Sequence, residues 1–154
     1  MTTQTSPIKI AVATTDDEIL ACYEVLRQLR PKLDRSTFVD DVRRMQRGGY
    51  VLASLLAPEV RAVAGYRFFE MFAFGGTLYV DDLVTDAEAR SSGYGKALLQ
   101  WLKDEAIRAG CRFLTLDSGL KRLRAHEFYR REGLEAIGLH FALATDGGPM
   151  WSSD

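Results

Sequence analysis

Apolar and polar residues alternate along Ile8 to Ala13 (I-K-I-A-V-A), the two-residue period of a strand with one buried face. The period then lengthens. Ile19, Cys22, Tyr23, Leu26 and Leu29 recur at helical spacing behind Asp16 or Asp17. Arg30-Pro31 ends that run, because proline has no N–H to donate and disfavours a helical residue before it. Ser36 or Thr37 caps a second predicted helix carrying Phe38, Val42 and Met45, which stops at Gly48-Gly49. Three strands follow at Tyr50 to Leu56, Ala62 to Phe69 and Thr77 to Thr85. Pro58-Glu59 and Gly75-Gly76 join them through links short enough for antiparallel hairpins. A long helix is predicted from Ser92 to Ala109, with Leu98, Leu102, Ala106 and Ala109 on one stripe and Gly110 as its cap. Phe113 to Asp117 reads as a fifth strand, Lys121 to Glu132 as a fourth helix and Glu135 to Ala144 as a last strand. A strand, a long helix and a strand form a parallel crossover. The prediction is therefore a mixed α/β sheet, antiparallel in its front half, with a parallel joint before Ser91.

Composition narrows the function classes. The 154 residues are the size of one ordinary domain, with a predicted core of about 8–144 and loose ends at Met1 to Pro7 and Thr145 to Asp154. A 47% hydrophobic content supplies a core and excludes the disordered class. Twenty Lys and Arg against 21 Asp and Glu, a net charge of −1, disfavour a nucleic-acid partner for the chain as a whole. Cys22 and Cys111 lie far apart with no CxxC pattern, so neither a disulfide framework nor a metal site is expected. The first 15 residues lack the charged start and apolar block of a signal peptide. No apolar run approaches the roughly 20 residues that span a bilayer. The expectation is a soluble, cytoplasmic protein with no membrane partner.

Chemistry concentrates between the fourth strand and the long helix, in Arg90-Ser91-Ser92-Gly93-Tyr94-Gly95-Lys96-Ala97. Glycines let the backbone approach a ligand and turn sharply into a helix. The free N–H groups of that helix start, with the dipole behind them, suit a phosphate or pyrophosphate. Arg90 adds a charge-assisted contact. The spacing is not that of a Walker loop, and position 98, where a dinucleotide fingerprint needs a third glycine, is Leu98.

The pattern R-x-x-G-x-G-x-A after an apolar strand resembles the acetyl-CoA motif of the GNAT N-acetyltransferase superfamily. The later run Arg122-x-x-Ala125-His126-x-Phe128-Tyr129-x-x-x-Gly133 is similar to that family's second motif, N-x-x-A-x-x-x-Y-x-x-x-G-F. Two positions depart from it: Arg122 stands where many relatives have Asn, and Leu134 where they have Phe. The resemblance spans about Thr77 to Gly133. It implies a GNAT-like mixed sheet of six to seven strands with a splayed parallel pair, flanked by about four helices. It also implies acetyl-CoA as co-substrate and no metal. By resemblance, the backbone of Leu83, Val84 and Thr85 would bond the pantetheine arm like an added strand. The amides of Ser91, Ser92, Gly93, Tyr94, Gly95 and Lys96 would hold the pyrophosphate, helped by Arg90 and Arg122. The thioester would enter between the fourth and fifth strands, with Thr115 and Asp117 on the far wall.

Acetyl transfer to an amine needs a neutral nucleophile, a polarised carbonyl and a proton for the leaving thiolate. Arg122, Ala125, His126 and Tyr129 fall on one helical face, and the resemblance makes Tyr129 the general acid. Asp81 and Asp82 sit inside the apolar run Leu78 to Thr85, where acids are unusual. Strict alternation puts them on opposite faces, an assignment a bulge would scramble. Asp81 is taken as the base or amine-binding acid, because some relatives carry an acid there. His126 and His140 read as packing or capping residues. The basic residues around Arg122, Arg124, Arg130 and Arg131 read as a solvated helix face.

By resemblance the first two helices and the loop after the third strand wall the acceptor. There the run Arg67 to Phe74 is rich in aromatics and reads either as an acceptor wall or as the contact of a homodimer. The function expected is N-acetyltransfer to a primary amine, small-molecule or peptide, by direct attack in a ternary complex. The alternative is a non-catalytic module that binds acyl-CoA.

Overall fold

A computed structural model of the chain describes residues 7–149, so most of the predicted loose ends lies outside the described residues. The chain falls into two compact units, one up to Leu116 and one from Asp117. The first unit holds strands β1 (Lys9–Val12), β2 (Val51–Leu56), β3 (Val60–Met71), β4 (Gly75–Thr85) and β5 (Phe113–Leu116) in one sheet of order β1-β2-β3-β4-β5. The first four are antiparallel neighbours, and β4 runs parallel to β5. Helices α1 (Asp16–Ala21), α2 (Tyr23–Leu29) and α3 (Phe38–Arg47) precede β2, and α4 (Tyr94–Arg108) crosses over between β4 and β5.

Local chemistry accounts for most boundaries. Thr15 and Glu18 form a reciprocal capping box at α1, satisfying two of the amides a helix start leaves free. The predicted single helix from Asp16 divides at Cys22, whose amide reaches back three residues to the Ile19 carbonyl instead of four. Gly75, at φ +71, closes the β3–β4 hairpin in the left-handed region that glycine tolerates. The amphipathic helices α1 to α3 bury Ile19, Cys22, Val25, Leu26, Phe38 and Val42 against Leu52 and Val63. On α4, Leu98, Leu99, Leu102 and Ala106 are buried, and Trp101 meets Tyr66 of β3 edge to face at 6.1 Å. The first unit is thus a sheet covered by helices on both faces.

The second unit carries α5 (Leu123–Arg131). Gly133, at φ +93, ends it, with the Leu134 amide donating back to the Tyr129 carbonyl at 2.9 Å.

The expectation of six to seven strands is overturned: among the described residues the sheet has five, and Glu135 to Ala144 forms no strand. Ile137, Leu139, Phe141 and Leu143 do alternate as a strand would, yet all four side chains are exposed. Alternation describes side chains, whereas a strand exists only where a neighbour takes its backbone hydrogen bonds. The helix count is also higher than about four, with five α-helices among the described residues.

The register of β3 against β4 slips once. Gly65 faces Asp82 and Tyr66 faces Val80, leaving Asp81 as the extra residue of a β-bulge. Gly65 is required there, since a Cβ would lie 1.8 Å from the hydroxyl oxygen of buried Tyr50. Gly65→Ala should therefore destabilise the chain by about 3 kcal/mol, the upper part of the overpacking range. Urea unfolding monitored by circular dichroism measures it, and a loss within about 0.5 kcal/mol, the size of a neutral surface change, would show that Tyr50 is not held against the bulge.

Candidate active site

The bulge is where the sheet stops being continuous. β4 pairs with β5 only from Thr77 to Val80, opposite Phe113 to Leu116. Its next residues, through Thr85, continue to pair with β3 from Gly65 to Ala62. Along Leu83, Val84 and Thr85 the ladder to β5 has ended, so that edge of β4 is free to hydrogen-bond an extended ligand as an added strand would.

Beyond the edge, a short 3-10 turn (Ala87–Ala89) leads through Arg90, Ser91 and Ser92 into α4. These three residues are exposed. Ser91 takes φ +69, unusual for a residue with a Cβ, and Gly93 follows at φ +79 as the N-cap. No side chain caps α4, and its first turn holds no acid. The amides of Tyr94, Gly95 and Lys96 open the helix, so its positive dipole end is left to solvent or an anion.

The two aspartates are both firmly held. Asp81 receives the Arg67 guanidinium in a forked arrangement, Nε at 3.0 and 3.2 Å and Nη2 at 2.6 Å. Asp82 accepts from Arg30 Nε at 2.8 Å through one oxygen and from the Tyr50 hydroxyl at 2.8 Å through the other. Arg30 also donates to the backbone carbonyl of Asp81 at 3.0 Å, and the Arg67 guanidinium lies 5.6 Å from the Tyr50 ring centre. Because the bulge reverses the alternation, the acids do not divide between the faces: one linked set of side chains serves both. Burial and the Asp82 carboxylate push the Tyr50 phenol far above its ordinary range, so it stays a donor.

Asp82 also lines a cavity of about 300 Å³ beneath α2 and α3, walled by Leu26, Leu33, Phe38 and Met45. Arg30, Lys32 and Asp41 contribute its other charged groups. Sequence reasoning passed over Arg30 and Tyr50 as element ends and did not single out Lys32. The available signal was Gly65 inside an apolar strand, which marks a bulge or a close approach.

In the second unit, Arg122 is the N-cap of α5 and is exposed, while Tyr129 is half-buried. Burial raises the Tyr129 phenol above its ordinary value, with Arg122 pulling the other way. His126 Nε2 lies 2.8 Å from the Gly119 carbonyl, a local contact at the helix start. Burial lifts the Cys22 thiol to about 12, so it stays protonated and is no nucleophile. Among the described residues no group of three His, Cys, Asp or Glu side chains is placed to hold a metal ion, and no helix is long and apolar enough to cross a membrane.

A mixed sheet whose parallel pair ends at a bulge, beside an uncapped glycine-led helix, defines a class that the comparisons identify. The acetyltransferase (GNAT) family model matches residues 13–134, and the chain belongs to that family. It is 37% identical over 118 residues to an uncharacterized N-acetyltransferase, YhdJ, of Bacillus subtilis, a match covering 75% of this chain and 83% of that one. Over 65 residues, 42% of each chain, it is 35% identical to the aminoalkylphosphonate N-acetyltransferase of Salmonella typhimurium. The crystal structure of the aminoglycoside N-acetyltransferase AAC(6')-Iy in complex with CoA shares the fold at a TM-score of 0.80 and 12% identity, covering 94% of this chain and 99% of that one. The chain is an acetyl-CoA-dependent acyltransferase.

Tyr50→Phe should leave the partly buried Asp82 oxygen without its hydroxyl donor and lower stability by about 1 kcal/mol or somewhat more. Because Tyr50 and Asp82 are in contact, the losses from Tyr50→Phe and Asp82→Ala should fail to add in a double-mutant cycle. Additive losses in urea unfolding would show the two side chains to be independent.

Proposed function

We propose that the protein transfers the acetyl group of acetyl-CoA to a small primary amine by direct attack in a ternary complex. The observation that carries this reading is the free β4 edge, from Leu83 to Thr85, leading into the uncapped start of α4. In it, the backbone of Leu83, Val84 and Thr85 bonds the pantetheine arm. The amides of Ser91, Ser92, Gly93, Tyr94, Gly95 and Lys96 take the pyrophosphate, and Arg90 and Arg122 neutralise phosphate charge. The CoA complex of AAC(6')-Iy and the names of the relatives, which act on an aminoglycoside and an aminoalkylphosphonate, support a CoA donor and an amine acceptor. We assign the activity to one domain with its core at about 8–144, in the cytoplasm. Two free cysteines, one deeply buried, suit that reducing compartment.

The amine nitrogen attacks the thioester carbonyl, the carbon–sulfur bond breaks, and the electron pair leaves on sulfur. Tyr129 protonates that thiolate, and the proton lost from nitrogen passes to water or to a carboxylate. Asp81 was the expected acceptor of that proton. Both acids have both oxygens engaged, Asp81 by the fork to Arg67 and Asp82 by Arg30 and the Tyr50 hydroxyl, but of the two it is Asp82 that lines the cavity. The geometry therefore favours Asp82 over Asp81 as the acid that meets the amine.

Gly93→Val tests the cofactor arm of this reading. A side chain in the left-handed region costs roughly 1–2 kcal/mol, so a loop bent to Gly93's φ should lose about tenfold or more in acetyl-CoA affinity by calorimetry. Unchanged affinity in the folded variant would remove the pyrophosphate assignment.

Tyr129→Phe tests the acid. It should lower kcat by on the order of 10²-fold with acetyl-CoA affinity nearly unchanged. Since burial raises the phenol above its ordinary value near 10, the rate that Tyr129 supports should fall only at a pH above that at which an exposed tyrosine titrates. A Phe enzyme with normal kcat and the same high-pH limb would reduce Tyr129 to packing.

A further inference from the structure

The cavity under α2 and α3 has an unusual balance of charge. Four charged side chains line it, and three are already matched. Asp82 is held by Arg30 at 2.8 Å, and Asp41 by Arg44 at 2.9 Å and by the Thr37 hydroxyl at 2.9 Å. Lys32 is exposed and, among the described residues, no carboxylate pairs with it. The remaining wall is apolar. An occupant therefore meets one spare positive charge, a hydrocarbon lining, and a carboxylate already neutralised by a guanidinium.

We propose that this cavity selects, as acetyl acceptor, a short primary amine whose apolar arm carries an anionic group, a carboxylate or phosphonate, that pairs with Lys32. This rests on the acetyltransfer reading above and names its substrate class.

Three physical points lead there. At about 300 Å³ the space is at the small end for ligand cavities, which suits a compact acceptor better than a peptide or an oligosaccharide. Spare positive charge repels a second ammonium, so diamines and polyamines are disfavoured, while an anionic end is attracted. Position agrees, because Asp82 belongs both to the cavity wall and to the stretch of β4 beyond the last β5 pair, next to Leu83.

The experiment uses the full chain and a matched set of acceptors of one arm length, ending in carboxylate, phosphonate, neutral amide or ammonium. Thiol release gives kcat/KM for each, and calorimetry with acetyl-CoA is run in parallel. The anionic acceptors should exceed the amide by about tenfold and the diamine by more. The carboxylate and phosphonate arms decide between the two anions. Lys32→Gln should bring the ratio of anion to amide to about one, chiefly through KM, and Lys32→Glu should turn the preference toward the ammonium-tailed acceptor. A diamine preferred by the native protein, or a ratio unmoved by either Lys32 variant, would overturn the proposal. So would acetyl-CoA binding with no turnover of any member of the set. If acetyl-CoA itself fails to bind, it is the acetyltransfer reading that falls, and this proposal with it.

Discussion

A strand in the middle of a sheet has two edges, and β4 must serve both differently along its length. From Thr77 to Val80 it pairs on both sides, to β3 and to β5, and is an ordinary internal strand. Past the bulge at Asp81 it keeps only β3. Everything distinctive about the first unit follows from ending one ladder while continuing the other. An unpaired row of N–H and C=O groups is normally a liability that proteins cover or blunt. Here the chain turns from that row into a helix start that is itself unsatisfied, so two sets of free backbone groups lie in succession along one stretch of sequence. A ligand with an extended amide-bearing arm and a phosphate end matches that succession in order and in kind.

Keeping the bulge in place requires local reinforcement, since the extra residue forfeits its own ladder bonds. The reinforcement is polar and partly buried. Asp81 and Asp82 each hold one guanidinium, and Tyr50 closes the set from β2's side. Such an arrangement is a poor source of stability, because removing charges from water costs about what their pairing returns. Its value is geometric. Forked and two-sided contacts fix where each carboxylate points, and they leave Asp82, not Asp81, with a face toward the cavity. Glycine at position 65 is part of the same device, since only a missing side chain lets the Tyr50 hydroxyl reach across.

What was legible in the sequence was local. The turn at Gly75, the glycine-led start of α4 and the buried stripe of Leu98, Leu102 and Ala106 are set by neighbouring residues and are present, whereas Ala109 of the predicted stripe is exposed and Thr37 takes the N-cap position of α3 without a side-chain capping bond. The family motifs lay in the same contiguous stretches. What was not legible depends on partners distant along the chain. Arg30 reaches Asp82 across 52 positions and Tyr50 reaches it across 32, which no periodicity encodes. Placing the two acids on opposite faces was sound for an unbroken strand and fails only because of the bulge. The last predicted strand fails for the same kind of reason, since its alternation is present in the sequence but the hydrogen-bonding neighbour is not present in the fold.

The distribution of charge then separates the proposed site into two parts. The features that suit a CoA-like donor are mostly backbone, a strand edge, a left-handed glycine and helix amides, where the chief demand on side chains is that position 93 carry none. The features beneath α2 and α3 are made of side chains, and there the pairing is nearly complete but leaves Lys32 over. A site built in this way can keep one donor while its acceptor is changed by single substitutions in the helices. Discrimination by charge suits that role, because an unmatched charge disfavours the wrong partner as well as attracting the right one. In the proposed reading the fold supplies the chemistry, and Lys32, which has no carboxylate partner among the described residues, supplies the choice.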